Sequence, residues 1–343
     1  MRAGYLVAPT QIELHDEPIP TARPGEVVVR VRVALTDGTD LKAYRRGHPQ
    51  MPMPTRFGHE FAGDVAAVGA GVDAFAVGDG IMSVHSAPCG ACWWCAHAEE
   101  ELCAHVMETK ILGAYAEYIT LPAHIVARNA FQKPAELSYE SAAFLEPLAC
   151  VVHSVRWLAA RADAQIAVIG DGGFGILHAL VLRGLGYPKP LVVGRRRARL
   201  DIACALGLET FDATGVDVEG VARELRARTA GRGMDAVIES TGTAIVWEST
   251  PHFVRRGGTV SLFGGLPGGT RVSFDSSRLH YDEVRVISPF HFGTAAVREA
   301  YDLLAHARID PLPLITHRFA LGELEQAFAA LDAGDGLKYA IVP

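Results

Sequence analysis

Cys89, Cys92, Cys95 and Cys103 stand as C-x2-C-x2-C-x7-C. Four thiolates this close together can complete a tetrahedral shell around zinc with no open position, so a structural site is expected. An iron–sulfur cluster uses the same ligand type and stays open on spacing alone. Unliganded core cysteines fit poorly beside Glu99-Glu100-Glu101 and the Pro88-Cys89-Gly90 turn. The acidic flank also speaks against a nucleic-acid zinc module, which would carry Lys and Arg for phosphates. A second set is dispersed over three segments: Asp37, the adjacent His59 and Glu60, and Glu146. A catalytic zinc takes three ligands of His, Cys or carboxylate type and leaves one position for water or substrate. Spacing alone equally allows a solvated His-Glu pair and a glutamate that ends a helix before Pro147.

A third set has the pattern of a phosphate cradle. Residues 166–175 read I-A-V-I-G-D-G-G-F-G, a short β-branched run entering G-x-G-x-x-G and followed by an apolar, helical stretch. Strand, glycine turn and helix stand in the order of a dinucleotide site. Gly170 permits the tight turn, Gly172 lets backbone approach a pyrophosphate, and Gly175 lets helix pack on strand. Gly173 and Phe174 complete the loop, whose helix N-terminus offers free N–H groups to the phosphates. After the next apolar run, Leu191-Val192-Val193, an NAD-type domain carries an acid that reads the adenosine ribose. Here that position is Gly194, followed by Arg195-Arg196-Arg197. A missing carboxylate and nearby guanidinium groups favour a 2′-phosphate, hence NADP over NAD, with Arg195 and Arg196 the contacts and Arg197 pointing away. Ser240-Thr241-Gly242, after the run that ends in Glu239, belongs at the carboxyl edge of the same sheet, where cofactor contacts gather.

These residues need elements to hold them. Residues 1–35 alternate as strands, and the glycines between Gly63 and Gly80 read as tight turns, so strands are expected to about Val126. Tyr139 to Pro147 reads as a helix stopped by the proline, with a second helix from Leu148 toward Ala160. Residues 166–290 alternate apolar runs with helical stretches, which implies a parallel sheet covered on both faces. Helices return at 295–305 and 321–331, before a last strand at 339–342. The 343 residues predict two domains. Composition, with 49% hydrophobic and 21% charged residues, is that of a soluble globular chain, and a net charge of −7 disfavours nucleic acid or an anionic membrane as main partner. No signal peptide and no run of transmembrane length is present, so a cytoplasmic location is expected.

Taken together, Gly58-His59-Glu60, the four-cysteine lobe, Ala116-Glu117-Tyr118, Glu146-Pro147-Leu148-Ala149 and the glycine fingerprint resemble the zinc-dependent medium-chain alcohol dehydrogenases, in order along essentially the whole chain. The Glu146-Pro147 pair is similar to the polyol and sugar dehydrogenase branch. The resemblance implies an α/β protein: a GroES-like β-rich catalytic domain (residues 1–150 and 289–343) with a Rossmann doubly wound parallel-sheet domain (151–288) inserted. It implies catalytic zinc on Asp37, His59 and Glu60 or Glu146, the two glutamates being left unranked. Both His59 and Glu60 can reach one metal only if the backbone bends between them. Asp37 stands where relatives usually carry Cys in Cys-Gly-Thr-Asp, an exchange that keeps the charge and still suits zinc, with loss of the catalytic metal the rival outcome. Asp37-Gly38-Thr39-Asp40 also resembles some archaeal-type glucose dehydrogenases.

By the same resemblance Thr39 passes the alcohol proton outward, while Lys42 replaces the histidine that some relatives use next. The loop from Cys103 to Gly113 is shorter than in relatives, where it lies near the substrate side. His153 reads as a hydrogen-bonded structural residue. The expected function is hydride transfer between NADP(H) and a secondary alcohol, polyol or sugar, with one catalytic and one structural zinc, in a homodimer or homotetramer. The alternatives are a metal-free NADPH-dependent carbonyl or quinone reductase on the same fold and a non-catalytic dinucleotide-binding protein.

Overall fold

The computed structural model describes residues 1–48 and 51–343. The chain divides into two units, one made of Met1–Ala149 with Phe292–Pro343 and one of Cys150–His291. In the first, β1 (Arg2–Ala8), β2 (Gln11–Asp16), β3 (Val27–Leu35), α1 (Gly38–Arg46), β4 (Thr55–Arg56), β5 (Glu60–Val68) and β6 (Gly80–Ser83) precede the cysteine lobe. The lobe carries α2 (Trp93–Ala96), and β7 (Tyr118–Leu121), α3 (Ala123–Asn129), β8 (Ala130–Gln132), α4 (Tyr139–Ala142) and α5 (Leu145–Trp157) follow, α5 running past Ala149 into the residues of the second unit. The second unit holds β9 (Ile166–Ile169), α6 (Gly173–Gly184), β10 (Leu191–Gly194), α7 (Arg197–Ala205), β11 (Glu209–Asp212), α8 (Val218–Ala227), β12 (Met234–Glu239), α9 (Ala244–Ser249), β13 (Val254–Leu262), α10 (Ser276–His280) and β14 (Arg285–Ile287). The chain then returns to the first unit through α11 (Thr294–Ala305), β15 (Ile315–Ala320), α12 (Leu324–Asp332) and β16 (Lys338–Val342).

In the first unit a sheet ordered β15-β16-β3-β5-β6-β8, with β7 also on β3, packs with a small β2-β1-β4 sheet around Phe57, Phe61, Tyr115, Phe328 and Tyr339. From Val29 to Val33 β3 alternates as a strand with one buried face should, with Arg30 and Arg32 exposed and Val29, Val31 and Val33 buried. Strand β16, from the far end of the chain, pairs antiparallel with β3 through Ala340 and Leu35, and Leu35 in turn faces Glu60 of β5. Residues from the two ends of the chain therefore share one end of a sheet.

The second unit is a six-stranded parallel sheet, ordered β11-β10-β9-β12-β13-β14. This is the Rossmann order, with its reversal between β9 and β12. Val168, Val192 and Val237 are fully buried in the central strands, as parallel strands covered on both faces require. Among the described residues no helix is long and apolar enough to cross a membrane.

Three sequence expectations are corrected. Strands do not run on to Val126, because Ala123–Asn129 is α3, started by Pro122 in an extended conformation. Pro147 does not stop a helix, since it lies in the first turn of α5, where its missing N–H has no helical partner to lose. Gly63 is not in a turn but inside β5, where a Cβ would strike the Arg30 carbonyl of β3.

Candidate active site and metal centres

Asp37 ends the segment after β3 in an extended conformation and caps α1. Its Oδ1 accepts the Gly38 amide at 2.5 Å and its Oδ2 the Thr39 amide at 2.9 Å, which fixes the carboxylate at the helix N-terminus. His59 immediately precedes β5, after Gly58 at φ +86°, where a Cβ would collide with the Tyr115 ring. This left-handed glycine turns the chain into β5, and His59 and Glu60 both bring a donor atom close to Asp37. His59 Nε2 lies 3.4 Å from Asp37 Oδ2, and its Nδ1 lies 3.3 Å from Asp40 Oδ1. Asp40 is held by the Tyr115 hydroxyl, 2.7 Å away, which also donates to the Leu35 carbonyl. Glu60 is fully buried and ion-paired through Oε2 to Lys338 of β16, whose ammonium also donates to the Thr36 carbonyl at 2.7 Å.

One donor atom from each of Asp37, His59 and Glu60 lies within 4.8 Å of the others, and all three residues are buried. Glu60 Oε1 is buried without a hydrogen-bond partner among the described residues. An N/O donor set with a spare buried oxygen fits a divalent cation such as zinc. Burial and mutual charge set the protonation of these groups. Burial raises the Asp37 carboxyl, but the hydrogen bond and charge of His59, the Lys338 charge and the Thr39 amide outweigh it and hold the group well below the usual carboxylate range. Burial likewise lowers His59, yet the carboxylates of Asp40, Asp37 and Glu146 carry it well above the ordinary value. Burial pushes Glu60 far up despite Lys338. Glu146, in the first turn of α5, is outside the tight triad and sits 3.2 Å from His85 Nδ1, whose ring meets that of His59 edge-on at 5.0 Å. Burial lowers His85 against the pull of Glu146.

The four cysteine sulfurs also lie within 4.8 Å of one another. The pairs Cys89–Cys95, Cys92–Cys95 and Cys92–Cys103 are 4.0, 3.6 and 3.8 Å apart. A tetrahedral shell with Zn–S of about 2.3 Å has edges of about 3.8 Å, so the lobe has the dimensions of that shell. Backbone amides of Ala91 and Cys92 donate to Cys89 Sγ, and that of Cys89 to Cys103 Sγ. Amides pull Cys92 down to about 6, whereas burial and neighbouring sulfurs push Cys95 up to about 12. The lobe is braced by Glu100, whose Oε2 accepts the Thr294 amide at the start of α11 at 2.8 Å.

In the second unit Gly170 has φ +127°, and a Cβ on Gly175 would meet the Gly170 carbonyl. Gly172 caps α6 in an extended conformation, without a side-chain capping hydrogen bond. Gly172 and Gly173 border open space, and Phe174 packs on Phe263 at 5.2 Å. Ser240 joins the turn through its amide, which donates to the Ile169 carbonyl at 2.9 Å, while its buried Oγ lacks a partner among the described residues. Glu239 turns its carboxylate on the same loop, accepting the amides of Thr241 at 2.7 Å and Gly242 at 3.1 Å. Gly194, Arg195 and Arg196 end β10 and lead into α7, and Arg197 pairs outward with Asp201 at 2.8 Å.

The structure thus brings Asp37, His59 and Glu60 together, with Thr39 in the first turn of α1, and sets Glu146 against His85. Sequence reasoning gives no role to His85, Lys338, Asp40 or Asp171. Asp40 carries a signal, as a helix-borne acid three residues after Asp37, but Lys338 carries none, because a single lysine before an apolar strand is unremarkable in a sequence.

Comparison with known proteins agrees with this architecture. Residues 23–130 match the alcohol dehydrogenase GroES-like domain, and residues 173–306 match the zinc-binding dehydrogenase family. A protein designated D-xylulose reductase A from Aspergillus clavatus is 30% identical over 96% of this chain and 92% of its own. A sorbitol dehydrogenase from Halalkalibacterium halodurans is 27% identical over 96% of this chain and 95% of its own. Among solved structures, a protein designated a zinc-binding dehydrogenase, from Sinorhizobium meliloti 1021 and bound to NADP, superposes with a TM-score of 0.90 at 29% identity, covering 100% of this chain and 99% of that one. With a GroES-like unit built from both chain ends and a Rossmann unit between them in sequence, the chain belongs to the zinc-dependent medium-chain alcohol dehydrogenase family.

Proposed function

We propose that this protein is an NADP-preferring, zinc-dependent dehydrogenase that interconverts a secondary alcohol, polyol or sugar with the corresponding carbonyl compound. The observation that carries the reading is the buried Asp37, His59 and Glu60 set, with its unpartnered Glu60 oxygen. The polyol class draws on relatives named for xylulose and sorbitol. A zinc ion held by Asp37, His59 and Glu60 or Glu146 supplies Lewis acidity toward the substrate oxygen, and NADP supplies the hydride acceptor.

The protein's own residues do the rest. Asp40, itself held by Tyr115, orients His59, and Lys338 balances the charge of Glu60. Thr39 takes the alcohol proton outward. Cys89, Cys92, Cys95 and Cys103 hold a second, structural zinc. Gly170, Gly172, Gly173, Phe174 and Gly175 cradle the pyrophosphate, Ser240, Thr241 and Gly242 border the cofactor at the carboxyl edge of the sheet, and Gly194, Arg195 and Arg196 receive the 2′-phosphate. Assembly as a homodimer or homotetramer belongs to the same reading.

The test is a panel of alcohols, polyols, sugars and carbonyl compounds, run with both cofactors on protein of measured zinc content. Two zincs per chain, turnover of polyols or secondary alcohols, and a higher kcat/KM with NADP are expected. One zinc with full carbonyl turnover would replace the reading by a metal-free reductase. Equal or better kinetics with NAD would refute the cofactor preference.

A further inference from the structure

The turn between β10 and α7 is held by a residue from a different loop. Asp171, in the glycine turn after β9, is 9% exposed, and its Oδ2 accepts the Arg195 amide at 2.8 Å and the Arg196 amide at 2.7 Å. The Arg195 carbonyl accepts the Thr214 hydroxyl at 2.9 Å, and the Arg195 guanidinium donates to the Val216 carbonyl at 3.3 Å. Arg195 is therefore fixed on both sides of its backbone. The same carboxylate accounts for Gly194, because a Cβ there would overlap the Asp171 side chain. In NAD-type domains the side chain at this strand end reads the adenosine ribose. Here its volume belongs to Asp171.

We propose that Asp171 is a positioning residue for the adenosine 2′-phosphate: it fixes the Arg195–Arg196 backbone so that the guanidinium groups serve the phosphate, and it excludes any side chain, above all an acid, from position 194. A free carboxylate would repel the phosphate, but this one is engaged by two backbone amides in charge-assisted hydrogen bonds. The proposal deepens the NADP reading and rests on it.

The test needs no turnover. Adenosine 2′,5′-bisphosphate and 5′-AMP are titrated calorimetrically into the full zinc-loaded chain, as wild type, Asp171→Ala, Asp171→Asn, and the double change Asp171→Gly with Gly194→Asp. The wild type should bind the bisphosphate more tightly. Asp171→Ala should weaken the bisphosphate by about 10- to 100-fold, the loss expected when a buried carboxylate no longer satisfies two amides, and 5′-AMP far less. Asp171→Asn keeps an acceptor oxygen and should retain more bisphosphate affinity than Asp171→Ala. The double change should reverse the preference to 5′-AMP. Equal weakening of both nucleotides, or no weakening, overturns the proposal. A wild type that prefers 5′-AMP overturns the NADP reading itself, and this proposal with it. If Asp171→Ala does not fold, a folded double variant that still prefers the bisphosphate refutes the role of Asp171.

Discussion

His178 offers a quantitative test of the second unit. It is fully buried in α6, its Nδ1 donates to the Phe174 carbonyl at 2.7 Å, and its Nε2 has no partner among the described residues. Burial, opposed only weakly by that hydrogen bond, lowers its pKa to about 4. The folded imidazole is therefore neutral where the unfolded one, near 6.5, takes up a proton. Stability conferred by keeping it neutral is present above pH 6.5 and is lost as pH falls toward 4. Between about pH 7 and pH 5 the two values give a loss of about 1.8 kcal/mol, equivalent to about a 20-fold change in the opening equilibrium. His178→Leu removes the titration. Hydrogen exchange of the β9 and α6 amides, corrected for intrinsic rates at each pH, reads this unit alone. Wild-type protection should fall about 20-fold more than that of the variant between the two pH values. Equal pH dependence in both proteins would refute the reasoning, whatever the variant does to stability at neutral pH.

Asp37→Ala should abolish turnover while leaving NADPH binding intact, at a cost in stability of about 1 kcal/mol for the lost α1 cap; an unchanged kcat would remove Asp37 from the active site. Cys92→Ser or Cys95→Ser should lower Tm and release one zinc per chain, and an unchanged Tm would contradict a structural zinc in the lobe. Gly175→Ala should cripple dinucleotide binding in a fluorescence titration, because the methyl meets the Gly170 carbonyl and forces α6 away from β9; wild-type affinity would show that the turn absorbs the methyl without cost.

What can be seen in the sequence is what short range decides. The run Ile166–Ile169 is buried at every position and its glycine turn follows at once, so strand, turn and helix are readable together. The cysteine lobe is similarly local, its four sulfurs all coming from residues 89–103. Strand β11 escapes because Glu209–Asp212 lies at the sheet edge, half-exposed, with no apolar run to mark it. Gly63 and Pro147 mislead because each residue type has two structural uses, and only the neighbouring strand or the start of a helix selects between them. The triad is nameable but not separable from Glu146, since only the tertiary fold sets Glu146 beside His85 and Glu60 beside Lys338.

The pairing of Glu60 with Lys338 also orders events in time. The two residues are 278 positions apart, and the whole second unit is translated between them. At about 5–20 residues per second this interval lasts on the order of tens of seconds. During it the nascent first unit has neither the ammonium that balances Glu60 nor β16 to cover the edge of β3. The acid and the Leu35 end of β3 are both settled by the same short strand, β16.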